Sequence, residues 1–152
     1  MPKPASVEDL ARWNRQFFAL IPLHQAMGIA VDCTGAGWAE MSLPFREDLV
    51  GDPTTGVLHG GAITALVDAC CGAAVFMSLE QPQGLATLDL RIDYLRRPEA
   101  RADVHAAART IRRTHHVAFV RGEAWQGDRE HPIASVTGAF KLGTHVPGVE
   151  PR

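Results

Sequence analysis

The stretch GVLHGGAITALVDACCGAA, residues 56–74, decides how the chain is read. Glycines surround His59, and a largely apolar run of helical periodicity follows, interrupted by one carboxylate, Asp68. On a helical wheel, Ile63, Leu66, Val67, Cys70, Ala74 and Met77 form a broad apolar stripe. The opposite side is small: Ala65, Asp68, Ala69, Gly72 and Ala73. A helix that is apolar or small all round is buried on every side, and its small face lets another backbone come close. Asp68 is the only acid or base between His59 and Glu80. Burying an ionised carboxylate without partners costs several kcal/mol. Either it bonds a neighbour such as Thr64 and fixes helix packing, or it does chemistry.

His59, Gly60 and Gly61 fall where this helix begins. Glycines there expose backbone N–H groups that have no partner inside the helix, and the helix dipole favours developing negative charge. Such a place suits the oxyanion of an acyl transfer. The competing reading is a simple helix cap. Nine residues at about 1.5 Å each put His59 and Asp68 roughly 13 Å apart along one helix, too far to share a substrate atom. If both are catalytic, two copies must pair with helices antiparallel, each helix start meeting the other chain's Asp68. The spacing then predicts a twofold homodimer with composite sites.

Outward from this helix the pattern changes. Before it, SVEDLARWNRQFFALI predicts an amphipathic helix over about 6–21, capped by Ser6, with Leu10, Trp13, Phe17 and Leu20 at helical spacing and Pro22 ending it. Residues 28–43 read as a hairpin turning at GAG, 35–37, and REDLVGDPTTG reads as loop. After Gly84, Leu88, Leu90, Ile92 and Tyr94 alternate strictly with Thr87, Asp89, Arg91 and Asp93, the clearest period of two in the chain. Three further strands follow in ADVHAAARTIRR, HHVAFVRGEAW and IASVTGAFKL, and the tail from about 144 to 152 has no periodicity. Runs of strands with few helices predict an α+β fold, an antiparallel sheet curled around one long helix.

A chain of 152 residues suits one domain spanning 1–152. A net charge of -2 and a pI near 6.4 give no global attraction to nucleic acid or to a membrane surface. Cys33, Cys70 and Cys71 form no even disulfide framework, and no run of about 18 apolar residues appears. A cytoplasmic protein is expected.

The motif GxxHGGxxxxLxDxxxGxA, matched by Gly56, His59, Gly60, Gly61, Leu66, Asp68, Gly72 and Ala74, resembles the hotdog-fold acyl-CoA thioesterases of the phenylacetic-acid-degradation type. ATLDLRIDYLRRP (86–98) and ASVTGAFKL resemble that family's following and closing strands, so the likeness covers roughly residues 24–143. The resemblance implies hydrolysis of an acyl-CoA thioester without cofactor or metal. It also implies a homodimer with a continuous sheet, often doubled to a homotetramer, and active sites at the dimer interface. Gly60 would donate its N–H to the thioester oxygen, Asp68 would be general base or nucleophile, His59 would hold the turn, and Thr87 would help position water. Gly61 and Leu58 would adjoin the substrate, and Arg112, Arg113 and Thr114 would meet the nucleotide end of coenzyme A.

Two departures stand out. Relatives often carry an amide side chain six residues before the histidine, where this chain has Pro53, or Asp52 if one loop residue is added. Some place a threonine four residues after the acid, where this chain has Gly72. The first departure keeps a second reading open, a hotdog protein that binds acyl-CoA without cleaving it. Phe45, Val57, Leu58 and Met77 are the residues expected to set pocket depth. His105, His115, His116 and His131 lack the acid or cysteine spacing of a metal site.

Overall fold

The computed structural model describes residues 5–144. The irregular tail expected from about residue 144 lies, apart from Thr144 itself, outside the described residues. The elements are helices α1 (Val7–Ala19), α2 (Pro22–Met27) and α3 (Gly60–Phe76), and strands β1 (Ala30–Gly35), β2 (Trp38–Leu43), β3 (Val50–Asp52), β4 (Val57–Leu58), β5 (Gly84–Tyr94), β6 (Val104–Arg113), β7 (Val117–Trp125) and β8 (Ala134–Thr144). Six strands form one antiparallel sheet in the order β1-β2-β6-β7-β8-β5, while β3 and β4 make a small separate ladder. The sheet wraps α3, as the resemblance implied. No described helix is long and apolar enough to cross a membrane.

Packing follows the strand period. In β8, Ala134, Val136, Gly138, Phe140 and Leu142 are buried, while Ser135, Thr137 and Lys141 face outward. Ile63, Leu66, Val67, Cys70, Ala73, Ala74 and Val75 of α3 are all sealed in the same core. Cys70 and Cys71 lie within it, and burial pushes their thiols well up, that of Cys71 to about 12, so both act as small apolar side chains.

Four details differ from the sequence reading. First, α1 is capped by Ser6, which accepts from Asp9 N at 3.1 Å, but its inward face is Leu10, Asn14 and Phe18, while Phe17 and Leu20 are 42% and 73% exposed. Second, Pro22 stops α1 and also opens α2 at its first turn, where a missing N–H is harmless. Third, the loop over 46–56 contains a single 3-10 turn, Glu47–Leu49, and strand β3, which pairs with β4 just beyond it. Fourth, the alternation of β5 breaks between Thr87 and Asp89, so Leu88 is left 58% exposed, and Tyr94 is also exposed.

Most of the small face of α3, Ala69, Gly72 and Ala73, is covered by this chain itself. Asn14, fully buried, donates through Nδ2 to Ala73 O at 3.1 Å, and the Phe18 ring lies 3.8 Å from where a Cβ on Gly72 would stand. Only a narrower strip of the helix stays uncovered.

Gly122 on β7 sits tight against β6, because a Cβ there would lie 2.7 Å from Ala107 O. Gly122→Ala is expected to cost about 1–3 kcal/mol through backbone displacement, read as a lower urea midpoint at unchanged m-value.

Candidate active site

The start of α3 is clamped from behind. His59 N donates to Leu49 O at 2.8 Å, and β3 runs so close that a Cβ on Gly51 would lie 2.9 Å from His59 Cα. His59 is the N-cap residue, with φ -62 and ψ 136, and its Nδ1 accepts from Gly61 N at 2.9 Å. An imidazole whose Nδ1 accepts carries its ring proton on Nε2, which leaves His59 a donor toward its open side. The His59 carbonyl takes Ala62 N at 2.9 Å and Ile63 N at 3.4 Å. Of the first four N–H groups of the helix, only that of Gly60 has no acceptor among the described residues.

The carbonyl of Gly60, in the next peptide, is fixed by a residue whose role the sequence reading missed. Tyr94, the only tyrosine, donates its hydroxyl to Gly60 O at 3.0 Å, and Thr64 Oγ1 donates to the same oxygen at 2.9 Å. Thr64 therefore belongs to the helix start and not to Asp68. Spacing places Thr64 one turn from Gly60, whereas nothing in the sequence brings Tyr94 across from β5.

Asp68 is half-buried, and Thr87 Oγ1 donates to its Oδ1 at 2.8 Å across the gap between α3 and β5. The pair lies in the wall of a cavity of about 630 Å³ between α1, α3, β5 and β8. Its apolar walls include Trp13, Phe17, Phe18, Phe76, Leu85 and Phe140. Pocket depth is thus set by α1 and β8. Leu58 and Met77, expected to set it, are both buried in the core, and neither lines the cavity. The side chains at 45 and 57 do not line it either.

His24 of α2 is a further polar group in this cavity. Its ring stacks on Phe18 with centroids 5.7 Å apart, and Nδ1–H donates to Phe18 O at 3.2 Å. Burial pushes its pKa below the usual histidine value, against the opposing pull of the backbone bond and of the Asp68 carboxylate.

Gly60 and Asp68 are eight residues apart, about 12 Å along the helix axis. A second cavity, about 440 Å³, adjoins the helix start and is lined by Leu23, Met27, Leu49, His59, Gly61 and Ala65 among others. Between the two cavities runs the uncovered strip of α3: Gly60, Gly61 and Thr64 are exposed, Ala65 and Asp68 partly so, and the rest of the helix is buried. The strip recurs every three to four residues, so it is one line along the helix.

The remaining sequence candidates lie elsewhere. Arg112, Arg113 and Thr114 close β6 near the C-terminal end of α3, a helix length of about 25 Å from Gly60. Thr114 builds the β6–β7 turn, bonding Val117 N and O at 3.0 and 2.9 Å, and Arg113 pairs with Glu80 at 2.8 Å; Arg112 is exposed without an ion pair among the described residues. Asp52 accepts from Thr54 N and Oγ1 at 2.9 and 2.6 Å, and these bonds hold its carboxyl below the usual range. Its side chain is thus committed to its own turn.

Burial makes His24 harder to protonate in the fold than in the unfolded chain. Below the ordinary histidine value of 6.5 the unfolded chain takes up that proton first. Stability therefore falls as pH drops through that value and levels off below the folded value. His24→Asn, whose amide can still donate to Phe18 O, is expected to show a smaller loss of Tm between about pH 7.5 and about pH 5 than the natural chain.

A family model described as the thioesterase superfamily matches residues 55–133, a segment containing both the Gly60 turn and the Asp68–Thr87 pair. A Pseudomonas aeruginosa protein named as a candidate esterase is 30% identical over 87 residues, 57% of this chain. The chain spans 63% of that relative's length. Another Pseudomonas aeruginosa protein, known as a crystal structure, is 39% identical with a TM-score of 0.79, covering 87% of this chain and 98% of its own. A variant of the phenylacetic acid degradation protein of Thermus thermophilus is 27% identical with a TM-score of 0.69, covering 80% and 98% respectively.

Proposed function

The chain belongs to the thioesterase superfamily, and we propose that it hydrolyses an acyl-CoA thioester of the kind handled in aromatic-acid degradation, as a homodimer with two composite sites. One observation carries this reading: a lone carboxylate, held by a threonine hydroxyl, stands in the wall of a largely apolar cavity on a helix whose first N–H is free. The acyl group fills the aromatic cavity. Asp68 Oδ2 takes a proton from water while Thr87 keeps Oδ1 occupied, and the water oxygen adds to the carbonyl carbon. The oxyanion meets the Gly60 N–H at the positive end of α3, oriented from behind by Tyr94 and the His59 turn. Collapse breaks the carbon–sulfur bond, and the coenzyme A thiolate leaves and is protonated.

The gap of about 12 Å between Gly60 and Asp68 is what requires two chains. Antiparallel pairing along the exposed strip of α3 would bring Gly60 of one chain to Asp68 of the other, and Arg112 toward the far end of the substrate. The likeness to a phenylacetic acid degradation protein supports the acyl class. A doubling to a tetramer remains an expectation of the resemblance. Asp52, an acceptor-only carboxylate committed to its own turn, supplies no second donor at the carbonyl, and this favours one alternative, binding without hydrolysis.

Asp68→Asn is expected to lower kcat by at least about a thousandfold with unchanged Tm, measured as coenzyme A release from aryl- and alkyl-acyl thioesters. No release by the natural chain from any thioester would leave the binding-only reading. Gly60→Pro removes only the free N–H, at a position where helices accept proline and after a residue already extended at ψ 136. Mixing refolded Asp68→Asn and Gly60→Pro chains restores about a quarter of natural activity if each site draws on both chains, since half the dimers are mixed and each holds one intact site. Mixtures as inactive as their parents would place the site within one chain.

Thr87→Val removes the hydroxyl from Asp68 but keeps the volume. It is expected to lower kcat about 10- to 100-fold with KM little changed. Thr87→Ser should restore most of the loss, and a valine variant of natural kcat would remove Thr87 from the mechanism.

A further inference from the structure

The outer face of the six-stranded sheet carries a second candidate site. Register sets Trp38 opposite Arg109, Arg109 opposite Arg121, Arg121 opposite Thr137, and Thr137 opposite Arg91. One row across five strands therefore holds three arginines, with an indole at its end. The adjoining row on the same face runs Glu40, Ala107, Glu123, Ser135 and Asp93.

Charge along these rows is unevenly matched. Arg91 pairs with Asp93 at 3.0 Å. Arg129, its guanidinium 4.6 Å over the Trp125 ring, reaches Glu40 at 2.7 Å and Glu123 at 2.8 Å. Both nearby glutamates are thereby taken. Arg109 and Arg121 remain, exposed and directly opposite one another, with no ion pair to any described residue. Like charges so placed, with Cβ atoms about 5 Å apart, destabilise a sheet unless an anion lies between them.

Beside the pair runs a groove of about 480 Å³ whose lining includes Trp38, Ala107, Ala108, Gly122 and Arg129. The groove has a low floor because alanines and Gly122 line it, and Gly122 has no room for a side chain. The Trp38 indole packs along one side against Gly35, where a Cβ would come within 2.2 Å of Nε1. We propose that Arg109 and Arg121 bind a phosphomonoester in this groove, with Trp38 taking a planar ring attached to it. Paired guanidinium forks match phosphate oxygens through charge-assisted bonds, and an indole stacks on a flat ring. The groove lies on the face of the sheet opposite the Asp68 cavity, so its occupancy does not depend on the hydrolytic reading.

Titration of the whole chain with inorganic phosphate, adenosine monophosphate and adenosine, followed by calorimetry, separates the contributions. Adenosine monophosphate and phosphate are expected to bind, and adenosine at least about tenfold more weakly than its monophosphate. The double variant Arg109→Gln/Arg121→Gln should lose at least about tenfold for both phosphates. Trp38→Leu should weaken adenosine monophosphate alone. Without ligand the double variant should melt higher than the natural chain, because the like-charge contact is gone, and adenosine monophosphate should raise the Tm of the natural chain only. Four results overturn the proposal: no phosphate binding at millimolar concentration, binding undiminished in the double variant, adenosine as tight as its monophosphate, or a double variant that melts lower. A Trp38→Leu loss equal for phosphate and adenosine monophosphate overturns the ring assignment.

Discussion

The rest of the molecule depends on one constraint: α3, whose only charged side chain over Gly60–Phe76 is Asp68, has to be kept from water by its own chain. The sheet supplies most of the cover. Strands β2, β6, β7 and β8 present alanine, valine and phenylalanine to the helix, and α1 closes the small face through Asn14 and Phe18. What stays open is the strip from Gly60 to Asp68. The catalytic proposal follows from that incompleteness, because the strip holds both the free N–H and the acid.

Hydrogen bonding around the helix start sharpens which donor is available. A glycine pair after a histidine leaves two N–H groups in question, and the sequence cannot choose between them. In the fold, the His59 ring turns back on Gly61 N, and Tyr94 fixes the carbonyl of the same Gly60–Gly61 peptide. Gly60 is then the group left to meet a ligand. The cap and the proposed oxyanion site, which read as competing explanations of the same three residues, fall on neighbouring peptides and are compatible.

The parts of the fold that were legible are those governed by local period. Leu90 and Ile92 point inward as their alternation requires, and β6, β7 and β8 fall on the three strand-like stretches. Leu88 breaks the pattern because a bulge shifts register against β8, a choice made by the partner strand and invisible along β5 alone. The inward face of α1 is only partly legible for a related reason: Leu10 is buried as its spacing requires, but Phe17 is not. Phe17 and Phe18 make either side of that helix apolar, and only docking on Gly72 selects Phe18 for the inside. The acid and the glycine turn stand out because one carboxylate interrupts an apolar helix and two glycines follow a histidine at its start. His24 and the aromatic cavity wall do not, since they arrive from α1 and α2 by tertiary contact.

The two faces of the sheet divide the electrostatics. Inside, one carboxylate and one histidine share an apolar cavity, where burial holds the imidazole neutral and weak screening lets each polar bond count. Outside, acids and bases lie in rows, and Arg129 gathers the carboxylates that would otherwise answer Arg109 and Arg121. In the proposed pair, covering the strip of α3 would remove water from Asp68 while leaving Thr87 bonded to it. A carboxylate that keeps one fixed donor stays oriented on the single water beside it. Association would then do more than bring Gly60 within reach, since the same contact that completes the proposed oxyanion site would also shut bulk water away from the base opposite it.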